Sequence, residues 1–197
     1  VGIVQGVACG VTERQMHDAV PHSIHHKRFV MVRNRLDPDH GADAVQRFAQ
    51  DRLFQPLGMQ HVTMETDETG TPIGGHYMLA SARDWGHFGL LYLNKGVAPN
   101  GQRLLPENWV PWSTQATLGT NYGAGWWLNH KGPGPAGPGY NMPLMPDVPS
   151  DAFYALGNLG QYVVVIPSKD LVVVRLGHSH TPNVEVIGMN RLLASTI

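Results

Sequence analysis

The sequence predicts an α+β fold in which an antiparallel sheet is flanked by helices. Three observations carry this. Two apolar runs, Tyr162–Ile166 and Leu171–Leu176, are separated only by Pro167-Ser-Lys-Asp170. That turn cluster makes a hairpin and is far too short for the crossover that parallel strands need. Helical periodicity falls before and after these runs rather than alternating with them, which argues against a parallel α/β arrangement. Finally, 42% of the 197 residues are hydrophobic and 15% are charged, enough apolar surface for a packed core in one domain of ordinary size.

Taken in order, residues 1–41 form an atypical N-terminal segment with weak periodicity. Val1–Val11 reads as a strand or strand end, and His17–Arg35 fits neither template apart from the apolar patch Phe29–Val32. From residue 42 to 197 the pattern is regular. Ala44, Val45, Phe48, Ala49 and Leu53 recur at helical spacing, Pro56 is expected to end that helix, and Gly58 turns the chain. Gly74-Gly75 marks another turn. Ser81-Ala-Arg-Asp84 is a helix start, with a Ser cap and an acid three residues on. That helix runs through Trp85, Phe88, Leu91 and Tyr92 to a stop at Lys95-Gly96. Pro106-Glu-Asn-Trp-Val is expected to open a short helix with Pro in its first turn. Aromatic-rich Tyr122–Asn129 is expected to be a strand. Residues 132–149 hold six Pro and four Gly, a long loop by composition. Ala152–Leu156 supplies a strand beside the hairpin, whose two runs are apolar enough for both faces to be covered. Amphipathic Val184–Ala194 closes the chain as a helix over one face of the sheet.

Composition excludes several functions. A net charge of -1, from 14 basic and 15 acidic residues, gives no global grip on nucleic acid or anionic membrane. The local cluster Lys27, Arg28, Arg33 and Arg35 reads as a solvated face. No run of about 18 apolar residues exists, so no membrane-spanning helix is expected. A lone Cys9 rules out an internal disulfide and a cysteine-based zinc site. His25-His26 and His178-Ser-His180 lack converging further ligands and read as loop histidines, so no metal is expected. Gly157-Asn-Leu-Gly160 is not a dinucleotide fingerprint, and no phosphate-binding loop occurs, so no cofactor is implied. A serine nucleophile needs a base beside it, and in Ser-x-x-Lys one helical turn brings the amine to the hydroxyl. Residues three beyond Ser23, Ser81, Ser113, Ser150, Ser168 and Ser179 are His26, Asp84, Ala116, Phe153, Leu171 and Pro182. Ser195 stands too near the end, and no Gly-x-Ser-x-Gly elbow occurs.

Several segments nevertheless occur together in a recognisable order. They are Arg52-Leu-Phe-Gln-Pro-Leu-Gly-Met59, Ser81-Ala-Arg-Asp-Trp-Gly-His-Phe-Gly-Leu-Leu91 and Gly101-Gln-Arg-Leu-Leu-Pro-Glu-Asn-Trp109. Tyr122-Gly-Ala-Gly-Trp-Trp127 and Asp151-Ala-Phe-Tyr-Ala-Leu-Gly-Asn-Leu-Gly-Gln161 follow, with Val163–Leu176 behind them. Together they resemble the C-terminal part of the serine β-lactamase-like hydrolases, the group of class C β-lactamases, D,D-peptidases, related esterases and 6-aminohexanoate-dimer hydrolases. The Ala-x-Gly-x-x-Gly-Gln form is most similar to the last of these.

The resemblance implies a β-lactamase/D,D-peptidase-like fold, present here incompletely. It implies cleavage of a small-molecule amide or ester through an acyl-enzyme, and a periplasmic or secreted setting. It places the family's catalytic Ser and Lys on an upstream helix and its Tyr on an upstream loop, and none of these is matched. Tyr92-Leu-Asn94 fits the letters Tyr-x-Asn but falls where the family has a structural helix. The chain is therefore expected to be a truncated, or partly frame-shifted, copy. The family's third motif maps onto Ala155-Leu-Gly157, with Ala155 where β-lactamases have the Lys that holds a carboxylate. Gly157 would admit substrate backbone, and the Asn158 N–H would be one oxyanion donor; Gly160 and Gln161 complete the motif. The other reading of Gly157 and Gly160 is a plain bend before the hairpin. Tyr122, Trp126, Trp127 and Tyr154 are candidates to line a cleft, with burial in the core as the alternative. For the chain as a whole, the alternative is a catalytically dead remnant acting as a binding or structural module.

Overall fold

Pro167–Lys169 form a 3-10 turn and Asp170 takes a left-handed φ of 49°, so the turn cluster reverses the chain within four residues. The computed structural model describes residues 2–3, 44–68, 70, 72, 77–117, 119–130, 143–179 and 184–197. Around that turn lies a four-stranded antiparallel sheet of β4 (Trp127–Leu128), β5 (Phe153–Gly157), β6 (Gln161–Ile166) and β7 (Leu171–Arg175), in that order. The register pairs Val163 with Ala155 on one side and with Val174 on the other. A smaller sheet orders β1 (Gly2–Ile3), β3 (Met78–Ala80) and β2 (Val62–Met64). The remainder of the 1–41 segment, the Gly74-Gly75 turn and most of the Pro/Gly-rich loop lie outside the described residues.

Alternation along the strands divides the core in two. Phe153, Ala155, Val163 and Val165 face α3 (Ala82–Leu93), which presents Trp85, Phe88, Leu91 and Tyr92. Tyr154, Tyr162, Val164 and Ile166 face the other way, against Val186, Met189 and Leu193 of α5 (Val184–Thr196). β6 is buried along its whole length between the two helices. β7 is only half-buried at all five residues, because it stands at the sheet's edge among the described strands. The expectation that both hairpin strands are covered on both faces therefore holds for β6 alone. The α3–sheet contact is close. A β-carbon on Gly89 would lie 2.5 Å from a Val172 methyl and 3.1 Å from a Val163 methyl.

α3 begins as its sequence predicts. The Ser81 hydroxyl accepts from the Asp84 N–H, and the Asp84 carboxylate accepts from the Ser81 N–H, so two otherwise orphaned donors are satisfied reciprocally. The helix ends where the Gly96 N–H donates to the Leu91 carbonyl at 2.8 Å. Three boundaries differ from expectation. Pro56 does not end its helix: α1 (Ala44–Ala49) runs into a π-helical turn (Gln50–Phe54) and then α2 (Gln55–Leu57). The wider turn, with the Gln55 N–H donating to the Gln50 carbonyl, places Pro56 in a first turn where a missing N–H is harmless. The short helix α4 (Trp109–Ser113) starts three residues beyond Pro106, whose carbonyl instead accepts from the Trp109 N–H at 2.9 Å. Of Tyr122–Asn129 only two residues form a strand. The Gly123 N–H donates to the Trp126 carbonyl at 2.8 Å, folding Tyr122 back onto Trp127.

Candidate functional site

β5 and β6 are joined by Asn158-Leu-Gly160, and Gly157 pairs with Gln161 across the base of this turn. Leu159 and Gly160 both adopt left-handed conformations, at φ 57° and 86°. Gly160 is required: a β-carbon there would lie 2.6 Å from Glu185 Cγ and 3.0 Å from Arg175 Nη1. Gly157 and Gly160 are buried, whereas Asn158 and Leu159 are exposed at the tip. The fold thus brings Gly157, Asn158, Gly160 and Gln161 together at one end of the large sheet, as their spacing requires.

The turn is held from behind. Gln161 is 2% exposed and exchanges two hydrogen bonds with Gly177: its Nε2 donates to the Gly177 carbonyl at 2.6 Å and its Oε1 accepts from the Gly177 N–H at 2.8 Å. The Ser179 N–H donates to the Leu159 carbonyl at 2.9 Å. Arg175 donates to the carbonyls of Gly160 and Gly177 and, at 2.7 Å, to the Ser179 hydroxyl. Sequence reasoning identified the turn but missed the 175–179 segment that supports it. The signal was an arginine closing an otherwise apolar strand.

The other candidates are placed differently. Ala155 lies two residues back on β5, 4% exposed, with its side chain in the α3-facing core. Trp126 is 2% exposed and packs among Phe88, Tyr92 and Phe153, with ring centroids 6.1, 4.5 and 5.0 Å away. Tyr154 is buried on the opposite face against Tyr162. Burial pushes the Tyr154 phenol well above its ordinary pKa, and the nearby Tyr162 adds to this. Trp126 and Tyr154 are therefore core residues rather than lining of an open cleft. Of the four aromatic candidates, Tyr122 and Trp127, in edge contact at 4.7 Å, are the two left half-buried. Tyr92 is likewise buried and accepts a hydrogen bond from the Trp109 indole at 3.1 Å, a structural position. Among the described residues no group of three metal-ligating side chains converges. Nor is any described helix long and apolar enough to cross a membrane.

Comparison with known proteins bears on this geometry. No curated protein matches the chain. Solved structures do. One is a protein of Bacillus anthracis assigned as a 6-aminohexanoate-dimer hydrolase, 25% identical with a TM-score of 0.55 over 73% of this chain. Another, from Bacteroides dorei, is assigned as a beta-lactamase and is 15% identical, with a TM-score of 0.50 over 97%. A beta-lactamase from Mycobacterium bovis is 15% identical with a TM-score of 0.53 over 78%. The latter two likenesses concern the fold alone. The chain spans 36%, 69% and 58% of these three proteins respectively. A sequence profile of the Beta-lactamase family matches residues 37–196. With most of its length matched, and with helices packed on an antiparallel sheet as in these structures, the chain belongs to the beta-lactamase family.

Proposed function

We propose that the Gly157–Gln161 turn is the oxyanion side of a serine hydrolase site that cleaves a small-molecule amide or ester through an acyl-enzyme. The observation that carries this is the turn itself: a tip with Asn158 exposed, on a base fixed by Gln161, Arg175 and Ser179. A backbone N–H on a rigid turn is preorganised for charge that develops in a tetrahedral intermediate. In this reading the second donor and the Ser, Lys and Tyr come from a segment that these 197 residues do not match. Ala155, buried and uncharged, cannot hold a substrate carboxylate, which favours neutral amides and esters over β-lactams. A second reading, a non-catalytic binding or structural module, is supported by the residues three beyond Ser23, Ser81, Ser113, Ser150, Ser168 and Ser179, none of which is a lysine.

Phenylphosphonate, whose charged tetrahedral oxygens imitate the intermediate, separates the two. Titrated into the ¹⁵N-labelled chain, it is expected to shift amide signals of Gly157–Gln161 most strongly. No shift there, or stronger shifts elsewhere, overturns the first reading. A fluorophosphonate, a nitrophenyl ester or a β-lactam is expected to leave no covalent adduct on this chain. A single serine labelled stoichiometrically would refute the assignment of the nucleophile to another segment.

A further inference from the structure

Arg175 is the last residue of β7, and its guanidinium turns back along the sheet rather than into solvent. It bonds the Gly160 carbonyl within the turn, the Gly177 carbonyl 3.2 Å away on the strand exit, and the Ser179 hydroxyl at 2.7 Å. The planar guanidinium can serve several acceptors at once, which a lysine ammonium on a flexible stem does poorly. Gln161 ties the same exit segment at 2.6 and 2.8 Å. The Ser179 N–H returns to the Leu159 carbonyl at 2.9 Å. On the far side, Glu185 packs against Gly160, so that a β-carbon there would lie 2.6 Å from Glu185 Cγ. The turn is thereby closed in from both sides, and its tip at Asn158 is the part left open.

We propose that Arg175 is the positioning residue of the Asn158 turn, fixing the direction of the Asn158 N–H by clamping Gly160 to the 177–179 segment. This rests on the reading of that turn as an oxyanion donor. Arg175 touches no reacting atom and acts through the turn. Loss of the clamp leaves two left-handed residues, Leu159 and Gly160, free to relax, and a misdirected donor loses most of its electrostatic value.

The test uses the full chain as Arg175→Met and Arg175→Lys, with amide hydrogen exchange and the phenylphosphonate titration as readouts. In Arg175→Met, exchange at Gly177 and Ser179, whose N–H groups donate to Gln161 Oε1 and the Leu159 carbonyl, is expected to accelerate at least tenfold, while Val163–Val165 are unchanged. The ligand-induced shift at Asn158 is expected to disappear. Arg175→Lys should recover exchange protection only in part. Unchanged exchange at Gly177 and Ser179 overturns the proposal, as does acceleration equal to that of Val163–Val165. So does a phosphonate response equal to wild type. If the wild-type chain shows no phosphonate response, the oxyanion reading fails on its own, and the exchange result still decides the clamp. Should Arg175→Met not fold, Ser179→Ala removes one acceptor alone. It is expected to accelerate exchange two- to threefold at Gly177 and at position 179 only, and no acceleration overturns the clamp.

Discussion

Asp84 accepts hydrogen bonds from two elements at once. Its carboxylate takes the Ser81 N–H and, at 2.5 Å, the Ser81 hydroxyl, which start α3. It also takes the N–H groups of Gln60 and His61 at 2.8 and 3.2 Å, which fix the segment after α2. Burial alone would raise its pKa, but these donors outweigh burial and hold the carboxyl below its ordinary value. A depressed folded pKa means stability that is present above the unfolded value of about 3.9 and lost as pH falls through the folded one. Asp84→Asn should therefore lower stability by about 2 kcal/mol at neutral pH, measured by urea unfolding. The gap to wild type should narrow as pH falls from about 5 toward 3. An acid-independent gap would count against the assignment. Tyr154 and Tyr162 behave in the opposite sense. Burial raises both phenols, with Tyr162 acting on Tyr154 and Glu185 on Tyr162. The stability held by their neutral forms is lost as pH rises past the unfolded value of about 10. Replacing Tyr154 by Phe should flatten that alkaline limb.

At the scale of elements, the contact between α3 and the sheet depends on Gly89. Alanine is the better helix former by about 1 kcal/mol. The methyl would nevertheless lie 2.5 Å from Val172, a stiff β-branched side chain on β7. Overpacking of this kind costs about 1–3 kcal/mol, so Gly89→Ala is expected to be neutral to destabilising, and a raised melting temperature would contradict the close contact. A second joint is Asn129, 2% exposed, whose Nδ2 donates to the Met145 and Val148 carbonyls at 2.7 and 3.1 Å while its Oδ1 accepts from the Met145 N–H. Asn129→Ala leaves these buried groups unpaired. It should cost about 2–3 kcal/mol and expose residues 143–149 to proteolysis ahead of global unfolding. Neither joint was legible beforehand. Capping at Ser81 and the reversal at Pro167–Asp170 are local, so the residues that make them stand side by side in the sequence. The Asn129 contacts, the Arg175 clamp and the passage of the helix through Pro56 depend on partners or backbone offsets that no periodicity encodes. Gly157 and Gly160 marked a bend by themselves, but only family likeness singled out the Gly157–Gln161 turn for a role, and that likeness said nothing of which way Trp126, Tyr154 and Ala155 face.

Across the molecule, apolar surface is unevenly covered. Val184, Ile187 and Leu192 on α5 are 54%, 51% and 56% exposed, and β7 ends the sheet among the described strands. Exposed apolar residues on a surface helix favour association, as does an edge strand, which β7 is among the described strands. Sedimentation should show the chain associating with rising concentration, and Ile187→Glu with Leu192→Lys should reduce this without lowering the melting temperature by more than a few degrees. A monomer at all concentrations would count against it. The large sheet has a kinetic side as well. β5, β6 and β7 follow one another in the chain, joined by Asn158-Leu-Gly160 and Pro167–Asp170. Closing such short loops loses little chain entropy, so this meander can form before contacts that span the sequence. Substitutions in β6, such as Val164→Ala, should then slow refolding, whereas Val45→Ala in α1 should chiefly speed unfolding. The strand that both helices bury would be the nucleus on which the rest of the chain condenses.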